Sequence, residues 1–123
     1  MQKIACVNIP GKGRGVVATA PIAKGEVVER SPVLPIALRD SECPALNDYS
    51  MAWGETLERC EPGTECAVGL GYLMLYNHSA TPNLTIERHF ADNEMSMRAL
   101  RDIVPGEELT YDYGVPLWFT EAA

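Results

Sequence analysis

The chain has 123 residues, 46% of them apolar, and a formal charge of −7; a chain of this length buries roughly two thirds of the surface it exposes when unfolded, so one domain with its own core is expected, without a metal or disulfide staple. Its ten glycines and nine prolines are dispersed along the chain, which argues against a fibrous or low-complexity protein and for a compact, turn-rich, mostly β domain. The most apolar stretch, Cys66 to Tyr76, is eleven residues, too short to cross a bilayer, so no membrane partner is expected; Met1-Gln2-Lys3 leads into a strand without the apolar segment of a signal peptide, which makes a cytoplasmic location the expectation.

Ile4 to Ile9 reads as a strand, Pro10 to Gly15 as a glycine loop and Val16 to Ala18 as a returning strand, so the loop joins a hairpin. A hairpin turn needs no function of its own, but glycines also let backbone amides approach a ligand closely. Lys3, Lys12, Arg14 and Lys24 make this end basic. Ala18 to Val28 is similar to Ala99 to Leu109, with Ala, Ile, Gly and Glu in register. This weak repeat uses a glycine turn to feed a strand once in each half, which predicts two small sheets. Pro32 precedes and Pro35 interrupts the apolar run Val33 to Leu38, which reads as an edge strand.

Between Asp40 and Glu65 the acids are Asp40, Glu42, Asp48, Glu55, Glu58, Glu61 and Glu65, against Arg59 as the base. Phosphates would be repelled there, so direct nucleic-acid binding is not expected. The segment 40–65 is either a solvated face or a surface that attracts a basic peptide. Its ordered part is read as Leu46 to Trp53, where Tyr49 and Trp53 share a face if the segment is a helical turn. Cys6, Cys43, Cys60 and Cys66 form no C-x-x-C pair and read as free thiols rather than a zinc site.

Glu65 to Tyr76 is densely apolar and predicts a strand passing into a short helical turn before Asn77. Polar turn formers follow, Asn77-His78-Ser79-Ala80-Thr81-Pro82-Asn83. Thr85 to His89 and Met95 to Leu100 flank a turn at 91–94, another hairpin in which His89 has an ordinary hydrogen-bonded or surface role. Pro105-Gly106 then opens a β-prone run, Glu107-Glu108-Leu109-Thr110-Tyr111-Asp112-Tyr113-Gly114. Its tyrosines lie two apart, so both rings face one way on a strand; a plain cross-strand aromatic contact is the simplest use of such a pair. Val115 to Phe119 is an apolar tail that either packs on the domain or stacks on something flat.

Gly13-Arg14-Gly15, Asn77 to Asn83 and Gly106 to Gly114, in that order, resemble the G-x-G loop, the N-H-S-x-x-P-N motif and the G-E-E-L-x-[FY]-D-Y-G motif of the SET-domain protein-lysine methyltransferases. The likeness extends over roughly residues 3 to 118. It implies a mainly β SET-domain (β-clip-like) fold of small sheets with short helical turns and a knot-like C-terminal crossing, an exception to ordinary chain topology. The expected organisation is a single domain, 1–123, with a core at 3–114 and a tail at 115–123.

The resemblance further implies transfer of a methyl group from S-adenosylmethionine to the lysine side chain of a basic protein or peptide. By the same likeness Lys12, Gly13, Arg14 and Gly15 line the cofactor pocket through main-chain atoms, Asn77 and His78 contact its amino-acid and adenine portions, Tyr113 borders it, and Trp118, or alternatively Phe119, stacks on the adenine. Tyr113 takes the catalytic position; Tyr111 takes the position linked to how many methyls are added, where a tyrosine implies mainly monomethylation. Asp48-Tyr49 is similar to the family's D-[DS]-Y segment, so Tyr49 joins Tyr111 and Tyr113 as walls of the substrate channel. Asn83 is expected to brace its loop. No metal site is expected, and the cysteine-rich zinc segment of many relatives has no counterpart here; Val115 to Ala123, or the second subunit of a homodimer, is expected to do its work. The rival reading is a catalytically silent SET-like module that binds a basic peptide, and a small-molecule methyltransferase is a third.

Overall fold

The structure is a computed structural model that describes residues 2–41, 43, 49, 51–53 and 66–113. Turns at residues 10–12 return β1 (Ile4–Ile9) antiparallel onto β2 (Gly13–Ala18), with Ile4 opposite Ala18 and Ile9 opposite Gly13. The strand thus begins at Gly13, inside the segment read as loop. β3 (Val27–Ile36) leads to a short helix α1 (Leu38–Ser41); then come β4 (Met51–Ala52), β5 (Cys66–Gly69), β6 (Asn77–His78), β7 (Leu84–His89), a 3-10 turn (Phe90–Asp92), β8 (Glu94–Ala99) and β9 (Glu108–Tyr111). Among the described residues two sheets result, a four-stranded one in the order β1-β2-β9-β6 and a five-stranded one in the order β4-β5-β3-β8-β7.

The weak repeat has a physical counterpart. Ile22 and Ile103 pair with each other across an antiparallel bridge, each amide donating to the other's carbonyl at 3.0 and 2.8 Å. Around them the bonds come in matched sets: Ala18 N–H to Glu107 O (3.0 Å) answers Ala99 N–H to Glu26 O (2.9 Å), and Gly106 N–H to Ala18 O answers Gly25 N–H to Ala99 O, both 2.8 Å. Gly25 and Gly106 hold φ of 85° and 90°, a backbone state open to glycine and costly for a side chain. The strands that leave these turns cross over: β2 pairs with β9 of the other half, and β3 with β8. The halves are therefore interlocked rather than adjacent.

One cluster of buried residues joins the sheets, including Val16, Ile22, Leu73, Tyr76, Leu84, Met95, Met97, Ile103 and Leu109. β8 sits between β3 and β7, so Met95, Ser96 and Met97 are all buried, and the Ser96 hydroxyl is bonded to His89 Nε2 at 2.8 Å. Cys6 and Cys43 are free thiols, Cys43 exposed, and Cys66 is buried.

Two sequence expectations need correction. The proline-bearing run is part of a ten-residue strand inside the five-stranded sheet, not an edge. β3 changes partner midway: Val27 to Pro32 pair with β8 and Val33 to Ile36 with β5. Each proline thus lies in a stretch paired in one ladder only, which tolerates its missing N–H. Tyr49 and Trp53 do not share a helical face either. Met51–Ala52 pair with Ala67 and Cys66 as a strand, which buries Trp53 edge-on against Phe90 at 5.0 Å while Tyr49 stays 42% exposed. The acidic segment read as loop at 59–64, and the tail that would complete the C-terminal crossing, lie outside the described residues.

Candidate active site

β9 is the strand on which the site is built. It lies between β2, which it meets antiparallel at Val16 and Val17, and β6, which it meets in parallel as Asn77 with Thr110 and His78 with Tyr111. Asn83 locks it there. This 3% exposed side chain donates from Nδ2 to Glu108 O (2.8 Å) and accepts from Thr110 N–H at Oδ1 (2.9 Å), so it fixes the strand itself as well as its own loop.

The loop at residues 12–15 is tied to the same strand. Asn77 Nδ2 donates both to Arg14 O (3.0 Å) and to Glu108 Oε2 (2.8 Å), while Lys12 Nζ pairs with Glu108 Oε1 at 3.0 Å. A Cβ at Gly15 would stand 2.6 Å from Ile9 Cγ1, 2.8 Å from Asn77 Nδ2 and 2.9 Å from Glu108 Oε2. Only a glycine admits this junction. Glu108 thus gathers Lys12 and Asn77 around one carboxylate, a role that its place in the C-terminal motif did not reveal.

Beyond β9 the chain turns so that Tyr113 docks on the 76–78 segment. Its amide donates to His78 Nδ1 (3.0 Å) and its hydroxyl to Tyr76 O (2.7 Å). Because Nδ1 accepts from an amide, the neutral ring carries its proton on Nε2; that Nε2–H has no acceptor among the described residues, although the side chain is only 8% exposed. Tyr111 lies 4.9 Å from the Tyr113 ring, Tyr113 lies 5.1 Å from His78, and Tyr76 meets Tyr111 edge-on at 6.5 Å. Burial raises the pKa of Tyr113, with Glu108 adding to it. Burial also raises that of Tyr111, reinforced by Tyr113 and opposed by Arg88, and that of Tyr76, reinforced by Glu29. These phenols stay neutral.

Three distant segments, residues 12–15, 76–83 and 108–113, therefore meet in one place. Such a place offers a neutral phenol whose proton is committed to a carbonyl, a second, partly buried phenol beside it, and an imidazole N–H and a loop backbone at its border. That set suits positioning an amine in a dry, aromatic surround. Among the described residues no group of His, Cys, Asp and Glu is arranged to hold a metal ion. Tyr49 is described without a contact to the tyrosine pair, and Trp118 and Phe119 lie outside the described residues.

A family model for the SET domain matches residues 13–114. The chain is 35% identical over 116 residues to a histone-lysine N-methyltransferase of Schizosaccharomyces pombe named as specific for H3 lysine-37, covering 91% of this chain and 74% of that protein. It is 34% identical over 118 residues to the N-lysine methyltransferase KMT5A-A of Danio rerio, covering 86% of this chain and 33% of that protein, so it spans about a third of that relative's length. A crystal structure of a Plasmodium falciparum protein assigned as a histone methyltransferase superposes with a TM-score of 0.69 at 29% identity, over 97% of this chain and 99% of that one. KRYPTONITE, solved with mCHG DNA and SAH, superposes at 0.67 over 93% of this chain and 24% of its own, at 23% identity, and so shows the shared fold alone.

Proposed function

Because the chain belongs to the SET-domain family of protein-lysine methyltransferases, we propose that it moves one methyl group from S-adenosylmethionine to the side-chain amine of a lysine in a basic protein or peptide. The observation that carries this reading is the double anchoring of Tyr113, amide on His78 Nδ1 and hydroxyl on Tyr76 O, beside the Tyr111 ring.

The residues fit the cofactor: the His78 Nε2–H is a donor without a partner among the described residues, and the junction at Gly15 brings the loop backbone against Asn77 with no room for a side chain. Lys12, Gly13, Arg14 and Gly15 would hold it through the main chain, with Asn77, His78, Tyr113 and Trp118. Asn77 would do so through its backbone or Oδ1, since its amide nitrogen already serves Arg14 and Glu108. When bound, S-adenosylmethionine supplies a methyl group already activated on a sulfonium.

The chain's own work is to bring the lysine nitrogen neutral and in line. A free lysine has a pKa of about 10.4. The partly buried rings of Tyr111 and Tyr113 limit water and favour the uncharged amine, and tolerate a methylammonium product by cation–π contact. The Tyr113 hydroxyl, its one proton given to Tyr76 O, keeps lone pairs to accept an amine N–H and so aims the nitrogen's own lone pair. The Tyr111 hydroxyl fills space that a further methyl needs, which makes monomethylation the main outcome. Alignment of this kind supplies about 7–11 kcal/mol in favourable cases.

In the same reading residues 1–123 form one domain with a core at 3–114, Tyr49 joins Tyr111 and Tyr113 as a wall of the substrate channel, the acidic segment 40–65 is either a solvated face or a surface that attracts the basic substrate, nucleic acid is not a direct ligand, Val115 to Ala123 or the second subunit of a homodimer completes the peptide groove, and the protein is cytoplasmic. Calorimetric titration with S-adenosylmethionine tests the core of it. Heat and a thermal shift are expected for the natural chain and their loss for Gly15→Val; a natural chain with neither is instead the silent peptide-binding module.

A further inference from the structure

The β-bulge at the start of β3, between Val27 and Glu29 in its pairing with β8, turns the Glu29 carboxylate toward the turn that precedes β6. A bulge re-aims a side chain in this way. There the carboxylate accepts three hydrogen bonds: Tyr76 Oη–H at 2.6 Å on Oε1, and Tyr72 N–H at 2.8 Å and Ser31 Oγ–H at 2.7 Å on Oε2. The turn presses on it closely. Gly71 has φ of 62°, and a Cβ there would stand 2.4 Å from Glu29 Oε2 and 2.6 Å from Ser31 Oγ.

Tyr76, 1% exposed, is the next link. Its hydroxyl is held by Glu29, its ring stands edge-on to Tyr111, and its backbone carbonyl accepts the Tyr113 hydroxyl. Among the described residues Glu29 bonds to neither Tyr111 nor Tyr113, yet it holds the residue that meets both. We propose that Glu29 is a positioning residue for methyl transfer, setting through Tyr76 the direction of the Tyr113 hydroxyl and the place of the Tyr111 ring. This rests on the methyltransferase reading above. A charge-assisted bond to a buried phenol is a firmer tether than a neutral one, and a displacement of about 1 Å at a reacting group can cost about 100-fold in rate.

The test compares Glu29→Gln, Glu29→Ala, Tyr76→Phe and the Glu29→Ala/Tyr76→Phe double variant on two readouts. The first is kinetic: kcat is expected to fall roughly 10- to 100-fold in Glu29→Ala and Tyr76→Phe with KM for cofactor and peptide unchanged. The double variant should be no slower than either single one, because both cut the same link, and Glu29→Gln, which keeps one acceptor oxygen, should recover part of the rate. The second is independent of activity: in tyrosine ring ¹³Cζ NMR, with the Tyr113 signal assigned from Tyr113→Phe, that signal should move in Glu29→Ala and Tyr76→Phe and return toward its natural position in Glu29→Gln. An unmoved Tyr113 signal in a folded Glu29→Ala or Tyr76→Phe variant overturns the proposal, and so do additive rate losses. If the natural chain transfers no methyl, the methyltransferase reading fails on that result, while the NMR arm still decides whether Glu29 governs Tyr113.

Discussion

Tyr111 and Tyr113 are chemically alike and differently tethered. Tyr113 is held at both its amide and its hydroxyl, whereas no hydrogen-bond partner is described for the Tyr111 hydroxyl, whose ring is fixed by packing against Tyr76 and Tyr113. A hydroxyl on a packed ring is a volume element first. Tyr111→Phe is therefore expected to retain turnover and to shift the product from monomethyl toward di- and trimethyl lysine by mass spectrometry; an unchanged distribution would remove Tyr111 from product control. At this scale the sequence made the residues that meet here legible, since Asn77, His78, Tyr111 and Tyr113 stand in motifs that can be read locally. It did not carry Glu108, Glu29 or Tyr76 as organisers. Their bonds reach Lys12, Asn77 and one another across long stretches of chain, and no local pattern encodes such pairings.

Among the elements, β9 depends on Asn83 as much as on its strand neighbours. Replacing Asn83 by Ala frees the carbonyl of Glu108 and the amide of Thr110 in a buried place, at about 1–3 kcal/mol for each group left unsatisfied. Asn83→Asp keeps an acceptor for Thr110 but sets an anionic oxygen against the Glu108 carbonyl, so denaturant unfolding should find both variants clearly less stable, and Asp no better than Ala. Equal stability of Asn83→Ala and the natural chain would show that the strand pairs alone hold β9. The hairpins at 4–18 and 84–99 were legible because each is closed by its own turn. β3 was not. Its length and its change of partner at Pro32 and Val33 depend on two strands far along the chain, and the prolines taken alone suggested an edge.

For the whole molecule, the repeat read from four aligned residue types becomes an interlocked pair of halves hinged on Ile22 and Ile103. The aromatic centre they enclose has a signature in pH. Burial, the leading cause, raises the phenol pKa of Tyr76, Tyr111 and Tyr113 above the ordinary value near 10. A phenol whose pKa is higher folded than unfolded contributes stability that is complete below the unfolded value and is lost as pH rises through the folded one. Stability should thus decline on the alkaline side above about pH 10, with these three phenols ionising later than an exposed one, followed by tyrosinate absorbance alongside circular dichroism. Free titration of all three at their ordinary value in a folded protein would mean that the cluster is open to water.

Incubation of the purified chain with S-adenosylmethionine carrying a labelled methyl and a panel of basic proteins, read by mass spectrometry of the acceptor peptides, tests the central claim most directly. The account predicts a single labelled methyl on a lysine side chain, formed by the natural chain and reduced about 100-fold by Tyr113→Phe while that variant still binds the cofactor. Label on no lysine, or a Tyr113→Phe variant as fast as the natural chain, would contradict it.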